Sequence, residues 1–196
     1  MSVENQKHTF MRQGSWMVAT TFLSGVCMLG VHIFAPVLGK EYSLFTTLLA
    51  MMNLMAIPGL GLQTVFAQQT AAAVSTEEKD SLTGTTQILL TWMFFVWLVW
   101  AVIILVFQKS FLNGLQIPNP MALWITLAIG LTQLWGPIFS GIMQGQQNFL
   151  WMGWIGIFNG LGRFMAIGII VVLLGGRATG AIFGTFLGIV TAVALG

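Results

Sequence analysis

Arg163 is the residue whose type and place in this sequence most demand a chemical role. It stands in IGIFNGLGRFMAIGIIVVLL, about halfway along an apolar stretch. A cation at the centre of a membrane helix costs about 2.5–3.5 kcal/mol on insertion scales. One reading is a guanidinium facing a water-filled cavity, where it meets an anionic substrate group. The plainer reading is a structural arginine satisfied by helix-end carbonyls of a neighbouring helix. Asn159 lies four residues earlier, on the same helix face. Asn53, in LLAMMNLMAIPG, and Gln133, in IGLTQLWGPI, fall at similar depth in other apolar stretches. Together the four are candidates to line a central substrate cavity, although a single buried amide also serves as interhelical glue worth about 1–2 kcal/mol. Thr20, Ser24, Met28 and His32 recur every four residues and form one stripe of a helix, with Cys27 beside it. Such a stripe can line a pathway, and His32 adds a group that exchanges a proton near neutral pH. The competing reading is hydroxyls packed against another helix and a neutral His bonded to backbone.

Absences narrow the chemistry. Glu4, Glu41, Glu77, Glu78 and Asp80 all map to termini or connections, so no carboxylate relay for protons or sodium runs through the apolar stretches. There is no Gly-rich phosphate loop, no paired carboxylate site and no His/Asp cluster at metal-ligand spacing. Cys27 is the single cysteine, which removes intrachain disulfides and thiolate metal sites. The seven Lys and Arg residues are scattered and make no basic patch of the kind nucleic acid requires. Enzymatic activity, a metal, a cofactor and a nucleic-acid partner are therefore not expected.

These side chains must be positioned by membrane helices. Charged residues are 6% of the 196, against the roughly 25% usual in soluble domains, and 57% are hydrophobic. An all-α, polytopic membrane protein follows, with six stretches at about 14–38, 43–67, 86–107, 121–144, 148–174 and 178–195, each near the 20 residues that cross a bilayer core. Residues 1–13 are polar and lead into about 25 apolar residues, too long for a signal-peptide core, so the first stretch is read as a retained anchor. Lys7, Arg12 and His8 on its leading side, against Lys40 paired with Glu41 behind it, point to a cytoplasmic N-terminus. Trp16 and Trp151 would then lie at the inner interface, and Tyr42, Trp100 and Trp124 at the outer one.

The longest polar connection, 67–85, is read as the second helix running past the membrane and then a short surface helix. Ser75 with Glu78 offers a capping box there. Proline interrupts three stretches, at Pro36, Pro58 and Pro137, and Pro58 beside Gly59, together with Pro137, are the hinge candidates. Gly180, Gly184 and Gly188, and likewise Gly156 and Gly160, repeat at spacing four and predict close helix packing. The sequence stops directly after the sixth stretch, with no polar anchor behind it, and we expect a longer protein with a second bundle.

Two stretches carry a family resemblance. LGKEYSLFTTLLAMMNLMAIPGLGLQTVFAQQTA holds Leu38, Gly39, Glu41, Tyr42 and Phe45, then a helix leading to a Gly-Leu-Gln segment; Ser43 stands where Gly is usual. GIMQGQQNFLWMGWIGIFNGLGRF holds Gln144, Gly145, Phe149 and Arg163. In this order they resemble the polysaccharide-biosynthesis branch of the MATE-like flippase superfamily. The resemblance implies an N-terminal six-helix bundle of a translocase that moves a lipid-linked oligosaccharide across a bacterial inner membrane by alternating access. It also implies a cytoplasmic N-terminus, membrane lipids around the bundle, and glycan polymerase or glycosyltransferase machinery as partners. An ion-coupled drug or metabolite antiporter of the same superfamily is the second reading. A non-transport scaffold subunit that packs through its Gly180, Gly184 and Gly188 face is the third.

Overall fold

The structure is a computed structural model that describes the backbone of residues 3–195 and the side chains of residues 11–192. The described residues are helical, with no strand among them. The elements are α1 (Val3–Gly30), α2 (Ala35–Leu38), α3 (Tyr42–Ala72), α4 (Thr76–Val106), α5 (Gln108–Gly114), α6 (Pro120–Gly145), α7 (Phe149–Gly168) and α8 (Arg177–Leu195). Single turns at Val31–Phe34 and Gly39–Glu41 flank α2, and a wider π turn at Ile169–Leu173 extends α7. Four helical stretches are long and apolar enough to cross a membrane: Met11–Ala72, Thr76–Val106, Pro120–Gly145 and Phe149–Leu173. Arg177–Ala192 is apolar but shorter.

The first of these stretches has 62 residues, which would reach about 93 Å as a straight helix, some three times the hydrocarbon core. It folds back on itself instead. The turn is at Gly39, whose φ of +54° lies where a Cβ is disfavoured. The direction change can be read from the helix contacts. Along α1 and α7, Trp16 meets Gly153, Ser24 meets Gly160 and Phe34 meets Gly168, so these two helices run the same way. Along α3 and α6, Met55 meets Gly130, Gly59 meets Pro137 and Thr70 meets Gly145, so these also run together. Residues 146–148 turn α6 back into α7, with Gln147 at a φ of +56°. Hence α1 and α3 are antiparallel. Trp97 Nε1 donates to the Leu127 carbonyl at 2.8 Å and Trp135 Nε1 to the Leu90 carbonyl at 3.3 Å, which sets α4 antiparallel to α6.

The core lies around α8. Ala178, Ala181, Ile182 and Thr185 are fully buried, and the first three share one apolar core with Phe45, Leu48 and Met52 of α3, Ile129 of α6 and Ile167 of α7. Glycine allows the close approach: a Cβ on Gly184 would come within 2.8 Å of the Ile167 backbone nitrogen, and one on Gly188 within 2.6 Å of the Arg163 nitrogen. Glu41, just past the reversal, holds the start of α8. Its carboxylate accepts from the Ala178 N–H at 2.9 Å and pairs with Arg177 at 3.5 Å, satisfying a free N–H at a helix N-terminus. By contrast α4 is peripheral, and Thr86 is its one buried residue.

Several expectations need correction. The polar run 76–85 is the first part of α4, which continues unbroken to Val106; α3 and α4 are joined by residues 73–75 alone. The reason is the capping box: Ser75 Oγ accepts from the Glu78 N–H at 3.2 Å, and Glu78 Oε2 accepts from the Ser75 and Val74 N–H groups at 2.8 and 2.9 Å. These donors hold the Glu78 carboxyl, in the water-side first turn, below its usual range. Neither Pro58 nor Pro137 breaks its helix; both α3 and α6 are continuous, and Pro36 opens α2, where its missing N–H costs nothing. The Pro137 ring seats on Gly59, so the hinge candidates meet at the α3–α6 crossing. Gly156 packs against nothing, whereas Gly153 and Gly160 contact α1. Helix α5 is an addition to the six expected stretches, a short turn of chain between α4 and α6. The side chains of Glu4, Lys7 and His8 lie outside the described residues.

Candidate functional site

Helix α7 brings Arg163 to the floor of a cavity of about 500 Å³ between α1 and α3. Phe22, Met28 and Leu29 of α1, with His32 of the turn after it, face Leu49 and Asn53 of α3 across it. Gly188 lies directly on the Arg163 backbone, so α8 closes the far side of the helix and the long side chain extends toward the cavity. It is 8% exposed. Its Nη2 donates to Asn159 Oδ1 at 3.4 Å, a long bond, and its Nε is buried without a partner. A guanidinium has five N–H donors, so most remain available to an acceptor that enters the cavity. None of the residues lining it is acidic. Among the described residues the one ion pair, Arg177 with Glu41, lies elsewhere.

Of the residues singled out in the sequence, Arg163, His32 and Asn53 meet in this cavity, and Asn159 reaches it through its bond to Arg163. Gln133 does not line it, because α6 packs chiefly against α3 and α8, away from α1. The Thr20, Ser24, Met28, His32 stripe divides. Thr20 and Ser24 are buried against Gly153 and Gly160, and the Thr20 hydroxyl donates back to the Met17 carbonyl. Met28 and His32 line the cavity instead, since residues four apart on a helix of 3.6 residues per turn drift steadily around it and leave the side that faces α7.

Tyr42 is the member that sequence reasoning missed. Its hydroxyl lies 2.7 Å from His32 Nδ1, across the Gly39 reversal, and ties the end of α1 to the start of α3. A hydroxyl and an imidazole ten residues apart give no periodic signal; only the tight turn brings them together. The wall residues Phe22 and Leu29 are 75% and 72% exposed, so the cavity opens sideways between two apolar helices. No group of three His, Cys, Asp or Glu side chains that could hold a metal occurs among the described residues. With a planar cation at the base and apolar walls, the arrangement suits the binding of an anion attached to something apolar. No family model, curated protein or solved structure matches this chain.

Proposed function

We propose that this chain is a membrane translocase for a lipid-linked oligosaccharide or polysaccharide precursor, and that it forms the first six-helix bundle of a MATE-like flippase in a bacterial inner membrane. The observation that carries the proposal is the nearly buried Arg163, with unpaired donors, at the base of a laterally open apolar cavity that no carboxylate lines. The diphosphate of the carrier lipid supplies the missing acceptor, in the forked geometry a guanidinium favours. Asn53 offers its amide to sugar hydroxyls, and Phe22 and Leu29 flank the lipid chain at the opening. The six long helical segments of alternating direction support six crossings, and the cytoplasmic N-terminus rests on the Lys7 and Arg12 flank of the first stretch. A second bundle, rocking against this one, would complete alternating access. The scaffold reading loses its surface, because Gly184 and Gly188 are already covered by α7.

The test is glycan export in cells that depend on this protein, with membrane protein level measured alongside. Arg163→Ala is expected to abolish export at unchanged protein level. Arg163→Lys, which keeps charge but loses the fork, is expected to retain part of it. Near-normal export by Arg163→Ala would overturn the proposal.

A further inference from the structure

A second recess, of about 510 Å³, lies between α3, α4 and α6 at the opposite edge of the molecule from the Arg163 cavity. Its α4 wall is a single helix face: Lys79, Leu82, Thr83, Thr86, Gln87 and Leu90 recur at spacings of three and four. The order along that face is graded, with a cation first, then hydroxyls and an amide, then an apolar side chain. The facing α6 wall repeats the grading in reverse sequence order, from Gln146 through Ile142 to Phe139. The apolar run 88–107 spans about 30 Å of helix, the thickness of a hydrocarbon core, so the boundary falls at Thr86 and Gln87. Lys79 lies two turns further toward water, and Leu90 and Phe139 lie inside the core.

Hydrogen-bond capacity in this recess is incompletely used. Thr83 and Thr86 donate to the Lys79 and Leu82 carbonyls and retain only acceptor capacity. Thr70 Oγ1, from α3, is buried without a partner. Lys79 belongs to no ion pair among the described residues; Glu77 and Glu78 face the other side of the α4 first turn. The donors that remain are the Lys79 ammonium, the Thr70 hydroxyl and the Gln87 and Gln146 amides. Looseness of α4 fits the same picture, since beyond its two indole bonds to α6 it makes few contacts and leaves room beside it.

We propose that this recess binds one glycerophospholipid, with its phosphate at Lys79, Thr70 and Gln146, an ester carbonyl at Gln87 and an acyl chain against Leu90 and Phe139. The graded walls match the order of a lipid from headgroup to tail, which neither a free anion nor a wholly apolar ligand would require. The bound lipid then acts as a wedge that seats α4 on α3 and α6.

The experiment uses the full chain in mild detergent, with native mass spectrometry to count ligands during titration. The probes are dioctanoyl phosphatidylglycerol, inorganic phosphate and dioctanoylglycerol, which lacks the phosphate. One phosphatidylglycerol per chain is expected. Lys79→Gln should weaken it about fivefold, the effect of one basic side chain at an anionic lipid surface. Thr70→Val should weaken it and Thr70→Ser should not, while Lys109→Gln, in α5, should leave it unchanged. Equal affinity for inorganic phosphate or for dioctanoylglycerol would overturn the proposal, as would wild-type lipid binding by Lys79→Gln.

Discussion

Gly156 and Gly160 lie one turn apart on α7 and look equivalent in the sequence, yet the structure separates their roles by a measurable energy. A Cβ built on Gly160 would come within 2.6 Å of Ser24 Cα and 2.8 Å of the Ser24 carbonyl oxygen. Both are backbone atoms of α1, so no rotamer change relieves the clash and the two helices must part by about 1 Å to restore ordinary carbon contact. Overpacking of this kind costs about 1–3 kcal/mol. At Gly156 the same methyl meets nothing within 4 Å. Gly→Ala in a helix interior gains up to about 1 kcal/mol from backbone propensity, and that gain is common to both sites. Gly160→Ala is therefore expected to unfold at lower denaturant than Gly156→Ala, by about 1–3 kcal/mol. Reversible unfolding in mixed micelles with rising dodecyl sulfate, followed by circular dichroism, reads the difference directly. Equal stability of the two variants would refute the reasoning. So would rescue of Gly160→Ala by Ser24→Ala, which removes the hydroxyl but leaves the obstructing backbone in place.

Two further predictions concern charge. Arg163→Met keeps much of the side-chain length and removes a membrane-embedded cation whose one hydrogen bond is 3.4 Å long, so unfolding in the same micelles should show a gain of about 1–3 kcal/mol even as export is lost. A loss of stability would instead mark the arginine as structurally paired. At the α4 N-terminus, the Glu78 carboxyl is held below its usual range by the Ser75 and Val74 donors. Its folded value lies below the unfolded one, so its contribution is complete above the unfolded value and disappears as pH falls through the folded one. Protection of the Val74 and Ser75 amides, taken as exchange relative to the intrinsic rate at each pH, should therefore fall as the pH is taken from about 5 toward 3, and Ser75→Ala should lower protection of the Glu78 amide at pH 5.

What the sequence discloses about this protein depends on the range of the signal. Apolar length is local, and it places the helices of the bundle within a few residues except at α1, which runs Val3–Gly30 rather than 14–38, and at α4. At α4 a capping box from Ser75 to Glu78 joins a polar segment to the helix, and hydropathy alone does not show that. Charge scarcity is also local, and it singles out Arg163 without reference to any fold. The rest is relational. Whether Asn53 or Gln133 shares a cavity with Arg163 depends on which helices are neighbours: α3 faces α1 across the cavity, whereas α6 packs chiefly against α3 and α8. Whether a glycine packs depends on which way its face turns, as Gly156 and Gly160 show. The His32–Tyr42 bond depends on the reversal at Gly39, because the two residues belong to different helices. By itself, then, the sequence determined that apolar helices form and that a lone cation sits within one of them, since burial and helix propensity act residue by residue. Only the tertiary structure decided which side chains that cation meets, because contact between helices is set by direction, rotation and closeness of approach, which no single segment contains.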